Sequence, residues 1–130
     1  MPLELGLTGE VTHQVTPESF ATHWANPGVE VLATPVVVGW LEEAAIRAVS
    51  PHLEPGQRSV GTMLCMKHLA ATPAGMTVRA VARVKALDGR RVLFDVEAHD
   101  GKEKIAEGEH ERFIVTIARF LGKAAQKAGS

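Results

Sequence analysis

Apolar residues crowd together over 34–50, Thr-Pro-Val-Val-Val-Gly-Trp-Leu-Glu-Glu-Ala-Ala-Ile-Arg-Ala-Val-Ser, and then fall into alternation with polar ones over most of the chain that follows. The first stretch predicts a helix. Thr34 is a good N-cap, since its hydroxyl can accept from an orphan backbone amide, and Pro35 suits a first position that needs no donor. Ser50-Pro51 ends the element, because proline disfavours helical geometry in the residue before it. Val36, Val37, Val38, Trp40, Leu41, Ala44, Ala45, Ile46, Ala48 and Val49 leave it almost no polar side, which predicts a helix surrounded by protein.

The alternating segments, 57–72, 76–87, 90–99 and 102–120, predict strands divided by Pro73-Ala74-Gly75, Asp88-Gly89 and Asp100-Gly101. Val78, Ala80, Ala82, Val84 and Ala86 share one face, with Thr77, Arg79, Arg83 and Lys85 opposite, as in an antiparallel sheet covered on one side. Residues 3–16 predict a further strand and 17–33 a loop or short helix. From about 117 the last strand gives way to a short helix, and 122–130 reads as a loosely ordered tail. The expected architecture is one α+β domain over 1–130, a long central helix followed by an antiparallel meander that wraps it. The exposed edge of such a sheet predicts a homodimer.

Composition narrows the class. The 130 residues are 45% apolar and 22% charged, with 14 Lys+Arg against 15 Asp+Glu, so no net field favours a nucleic-acid backbone. No apolar run is long enough to span a membrane. The Met1-Pro2-Leu3-Glu4-Leu5 start argues against a signal peptide. Cys65 is the one cysteine, which excludes internal disulfides and cysteine-based zinc sites. A soluble cytoplasmic protein is the expectation.

Three residues stand out as candidate chemistry. Glu42 has Val38, Gly39, Ala45 and Ile46 as its helical neighbours and therefore no intrahelical cation, whereas Glu43 has Arg47 four residues on. A carboxylate in an apolar stripe costs several kcal/mol unless it is bonded or protonated. Either Glu42 sits at the edge of the stripe, or it meets a cation from another segment, or a reaction uses it. His68 shares a strand face with Leu64, Met66 and Ala70, where a histidine is more often a packed core or edge residue than a catalyst. Thr34 is explained by capping alone, yet a helix start is also where a developing oxyanion is stabilised. It lies about 12 Å from Glu42 along the helix axis. His13, His23, His52, His99 and His110 lack metal-ligand spacing, Ser50 and Ser59 lack a nucleophile-elbow context, and Cys65 reads as inert packing. Arg58, Arg90, Arg91, Lys102 and Lys104 can meet phosphates or simply occupy solvated turns.

With spacing kept, Val31-Leu-Ala-Thr34-Pro, Val38-Gly-Trp-Leu-Glu42-Glu-Ala-Ala-Ile-Arg47-Ala, Pro51-His-Leu-Glu-Pro-Gly-Gln, Val60-Gly-Thr, His68-Leu-Ala-Ala-Thr-Pro-Ala-Gly75, Asp88-Gly-Arg-Arg, Ala98-His-Asp-Gly101 and His110-Glu-Arg112 resemble the hotdog-fold acyl-CoA thioesterases, most closely the fluoroacetyl-CoA thioesterase family. The resemblance covers about 31–115. It implies a hotdog fold, a dimer paired through the sheet edge, and active sites at the subunit interface. The family's catalytic Thr, Glu and His fall on Thr34, Glu42 and His68, and Gly61 and Arg112 match positions that support the site. The carboxylate is implied to act as nucleophile or as base for water, the histidine to shuttle protons, and the threonine to assist at the carbonyl. The fluoroacetyl-specific relative carries an aromatic lid before the helix, where this chain has Ala25-Asn26-Pro27-Gly28 and little aromatic nearby beyond Phe20 and Trp24. That departure bears on the acyl group rather than on thioester hydrolysis.

The resulting expectation is hydrolysis of a short acyl-CoA to a carboxylic acid and CoA, with no metal or redox cofactor. The expected partners are the substrate and further copies of the chain, as a homodimer or a higher assembly of it, with no nucleic acid or membrane. A non-catalytic acyl-CoA sensor on the same fold is one alternative. A hydratase or dehydratase is another, although 24–28 lacks the Asp such enzymes place there.

Overall fold

The computed structural model describes residues 2–129. Strand β1 (Thr8–Gln14) is followed by two 3-10 turns (Pro17–Ser19 and Ala21–Trp24) and then helix α1 (Thr34–Val49). After a third 3-10 turn come β2 (Gln57–His68), β3 (Thr77–Asp88), β4 (Arg91–His99), β5 (Lys104–Thr116) and helix α2 (Ile117–Gly129). All five strands form one antiparallel sheet in the order β1-β3-β4-β5-β2.

Strands β3, β4 and β5 form the expected meander. The β2 strand departs from it: it pairs with β5 at the far edge, so the 69–76 connection crosses the sheet and Pro73-Ala74-Gly75 closes no hairpin. Along β3 the buried face runs Val78, Ala80, Ala82, Val84 and stops at a bulge between Val84 and Ala86, which leaves Ala86 exposed.

Helix α1 lies against the apolar face of the sheet, chiefly on β1 and β3. Close approach is possible because Gly9 of β1 faces Ala44 and Ala48, where any Cβ would overlap the Ala44 carbonyl and the Ala48 amide. The helix buries Val37, Leu41, Ala44, Ala45, Ala48 and Val49. It is not enclosed as its composition predicts: Gly39, Ile46 and Arg47 are exposed, because the sheet curls over one side only. Trp40 is instead shielded by His13 of β1, stacked on it at 4.9 Å. His13 also reaches Glu43 at 2.7 Å, and Glu43 takes the expected Arg47 partner at 3.4 Å.

Residues 122–129, read as a loose tail, continue α2, which is exposed nearly throughout. Cys65 is exposed rather than packed. Arg91 pairs with Asp88 and Glu111, and Lys104 with Glu97 and Glu107, so neither stands free for a phosphate.

Candidate active site

The residues singled out from sequence gather in two places. The first is where α1 begins. Thr34 is not the cap: Ala33 takes that position, and its carbonyl accepts from the amides of Val36 and Val37 at 3.1 and 3.2 Å. The Thr34 hydroxyl is thus left for another partner, and Oγ1 lies 2.7 Å from His68 Nδ1 at the end of β2. Burial pushes the His68 imidazole below its ordinary pKa, against the opposing pull of the Ala70 carbonyl, and so favours the neutral ring. Its Nε2 is buried and makes no hydrogen bond among the described residues.

Beside this pair is a cavity of about 350 Å³, lined by Ala21, Asn26, Val29, Val31 and Leu69 as well as Thr34 and His68. The segment leading into α1 is anchored at depth. The Leu32 amide donates to the Thr72 carbonyl at 2.9 Å, and the buried Thr72 hydroxyl donates to Asp100 at 3.0 Å. Burial works to raise the Asp100 carboxyl, but the Lys102 amide, the Thr72 hydroxyl and the Glu103 amide outweigh it, holding the group below the usual carboxylate range.

The second place is two turns along α1. Glu42 receives a hydrogen bond from Arg112 Nη1 of β5 at 3.2 Å. Its side chain keeps 38% exposure, while that of Arg112 keeps 5%. Of the readings open for Glu42, the cation from another segment is met: a half-open carboxylate rests on a buried guanidinium seventy positions away in sequence. Gly61 makes the room: a Cβ there would lie 2.5 Å from Glu42 Oε2 and 3.3 Å from Arg112 Nη1. It sits at a bulge, between Gly61 and Met63, in the β2–β5 register. Arg112 is fixed further by Ser59, with Nε on the hydroxyl at 2.8 Å and Nη2 on the carbonyl at 2.9 Å. Among the described residues no three His, Cys, Asp or Glu side chains converge as metal ligands would.

Within one chain the two groups do not meet. Gly61 and His68 are seven residues apart on β2, roughly 20 Å at strand rise. Sequence pattern alone gives Ser59 no nucleophile context and His110 no metal-ligand spacing, yet both belong to the Glu42 group through Arg112. The signal was in the alternation: His110 and Arg112 lie two apart on β5 and share its inward face.

The architecture is shared with solved structures. A hot-dog-like protein from Thermanaerovibrio acidaminovorans superposes with a TM-score of 0.90 at 21% identity, over 97% of this chain and 93% of that one. A Thermus thermophilus thioesterase superfamily member superposes at 0.92 with 30% identity, over 98% and 95%. Fold and site together define a hotdog thioester hydrolase. Crystalline fluoroacetyl-CoA thioesterase FlK matches with a TM-score of 0.91 and 38% identity over 98% of both chains. The fluoroacetyl-CoA thioesterase of Streptantibioticus cattleyicolor is 46% identical over 98 residues, 75% of this chain and 70% of that protein. The model of the fluoroacetyl-CoA-specific thioesterase family matches residues 15–118, and the chain belongs to that family.

Proposed function

We propose that this protein hydrolyses a small acyl-CoA thioester in the cytoplasm through Thr34, Glu42 and His68, in sites completed by pairing two chains. The Thr34–His68 contact at the mouth of the cavity carries this reading, because a threonine released from capping and bonded to a neutral imidazole has no structural duty there. FlK has been crystallised as mutants with acetyl-CoA and with fluoroacetate and CoA, which supports an acyl-CoA ligand for this fold.

Pairing follows from the split site. On the side away from β5, β2 is an open edge, and antiparallel addition of a second β2 runs the Gly61 end of one chain beside the His68 end of its partner. Glu42 of one chain then faces Thr34 and His68 of the other across a shared cavity. With the acyl group in that cavity, Glu42 attacks the thioester carbonyl to form an anhydride, or takes a proton from the water that attacks. The Thr34 hydroxyl, at the positive end of the α1 dipole, stabilises charge on the carbonyl oxygen. The CoA thiolate leaves, and in the anhydride route water then cleaves the acyl–Glu42 bond and restores the carboxylate. His68, neutral at the outset, takes up the proton released by that water and passes it to the thiolate, ending neutral again. Every group is a side chain of the protein, CoA enters as part of the substrate, and the reaction calls for no metal or redox cofactor.

Apart from Asn26, Thr34 and His68 the cavity is lined by alanine, valine and leucine, and no Phe or Trp lines it among the described residues. This favours a compact apolar acyl group over one selected by a tight aromatic lid. A panel of acyl-CoAs from acetyl through phenylacetyl to long chains, read by free thiol, tests the function. Turnover of small acyl-CoAs is expected. CoA-ester binding without thiol release across the panel would turn the reading into that of a sensor.

A further inference from the structure

His110 is almost fully buried, a costly place for an imidazole unless both ring nitrogens are used. Both are. Nδ1 lies 2.8 Å from the Met63 carbonyl, which can only accept, so Nδ1 carries the proton. Nε2 lies 3.2 Å from Arg112 Nη1, which can only donate, so Nε2 presents its lone pair. Two partners of fixed polarity thus select one tautomer of the neutral ring, and Phe94 stacks against it at 5.8 Å. The same Arg112 Nη1 donates to Glu42.

We propose that His110 is a positioning residue: by taking one Nη1 hydrogen of Arg112 while tied to the β2 bulge at Met63, it aims the other at Glu42 and sets where that carboxylate points. The inference rests on Glu42 acting in turnover as proposed above. Ser59 accepts from Nε and from Nη2, and His110 accepts the Nη1 hydrogen that is not given to Glu42, so the tilt of the planar guanidinium is held with Nη1 toward the carboxylate. Burial is the main influence favouring the uncharged imidazole. Arg112 adds to it, while the Met63 carbonyl, Glu42 and Glu111 oppose it.

The test uses two isosteric half-replacements in the full chain. His110→Asn keeps a donor for the Met63 carbonyl and offers Arg112 nothing. His110→Gln places a carbonyl oxygen near the position of Nε2 and gives up Met63. If His110 acts through Arg112, kcat of the Gln variant stays at least about fivefold above that of the Asn variant, with KM similar in both. A smaller ratio, whether both are fast or both slow, overturns the proposal, because a purely structural histidine has no reason to distinguish its two ends. Should either variant fail to fold, imidazole nitrogen NMR of the unmodified protein decides. A neutral ring protonated on Nδ1 at pH 7 is expected, and protonation of Nε2 overturns the inference. Glu42→Gln run alongside separates the two readings: unchanged turnover there would remove Glu42 from the reaction, while the imidazole spectrum still reports on His110.

Discussion

Thr34 Oγ1 and His68 Nδ1 are 2.7 Å apart although 34 positions separate them in sequence, and the contact exists because Ala33, not Thr34, caps α1. The distinction has a measurable consequence. Loss of a capping hydroxyl costs about 1 kcal/mol. Thr34→Val should therefore leave thermal stability within about 0.5 kcal/mol of the parent while kcat falls on the order of 10²-fold. A large stability loss with kcat unchanged would return Thr34 to a capping role.

Glu42→Gln keeps an acceptor for Arg112, so the fold should survive with little change in melting temperature. Turnover should drop on the order of 10²-fold or more, since an amide can neither attack a thioester nor accept a proton from water. Thiol-release kinetics and a melting curve on the same preparation check both halves.

Gly61→Ala puts a methyl group 2.5 Å from Glu42 Oε2. That oxygen ends a flexible, half-exposed side chain and can swing aside, so the stability cost should be under about 1 kcal/mol. The carboxylate would then be misplaced by an ångström or so, a displacement able to cost about 10²-fold in kcat. An alanine variant as active as the parent would mean that Glu42 need not lie against the β2 bulge.

The pH dependence has a definite sign. Burial lowers the His68 pKa on folding, so the unfolded chain holds that proton more tightly. The stabilisation linked to the neutral ring is present above the ordinary imidazole value of about 6.5 and is lost as pH falls through the folded value. If neutral His68 is the active form, the acid limb of kcat/KM should have its midpoint below about 6.5, and His68→Gln should abolish it.

Asp100→Ala should cost about 1–3 kcal/mol, because the buried Thr72 hydroxyl and the amides of Lys102 and Glu103 lose their acceptor together. Thr72 also holds the Leu32 amide, so kcat should fall with stability as the start of α1 loosens. Chemical denaturation and steady-state kinetics on the same variant check this.

Much of the fold was legible because it rests on local rules. Pro35 and Ser50-Pro51 bracket α1, and two-residue alternation places the strands within about five residues of their observed ends. Strand order was not legible. Alternation tells which face of β2 is apolar but not which strand lies beside it, and β2 crosses to the far edge next to β5. The Glu42–Arg112 pair was invisible to helical spacing for the same reason, since its partner comes from β5. Thr34 misled because its sequence context fits a cap equally well, and only the backbone of Ala33 decides between the two. Enclosure of α1 was overestimated because composition cannot say how far five strands reach around a cylinder.

Each chain carries two unlike fragments of machinery at opposite ends of one edge strand, so chains damaged at different ends should repair one another in the proposed pair. Mixing Glu42→Gln chains with His68→Ala chains gives hybrids in which one site inherits both lesions and the other inherits neither. Random exchange at equal amounts should restore about a quarter of the intact sites from two inactive parents, making the shared ownership of the reaction something that can be counted.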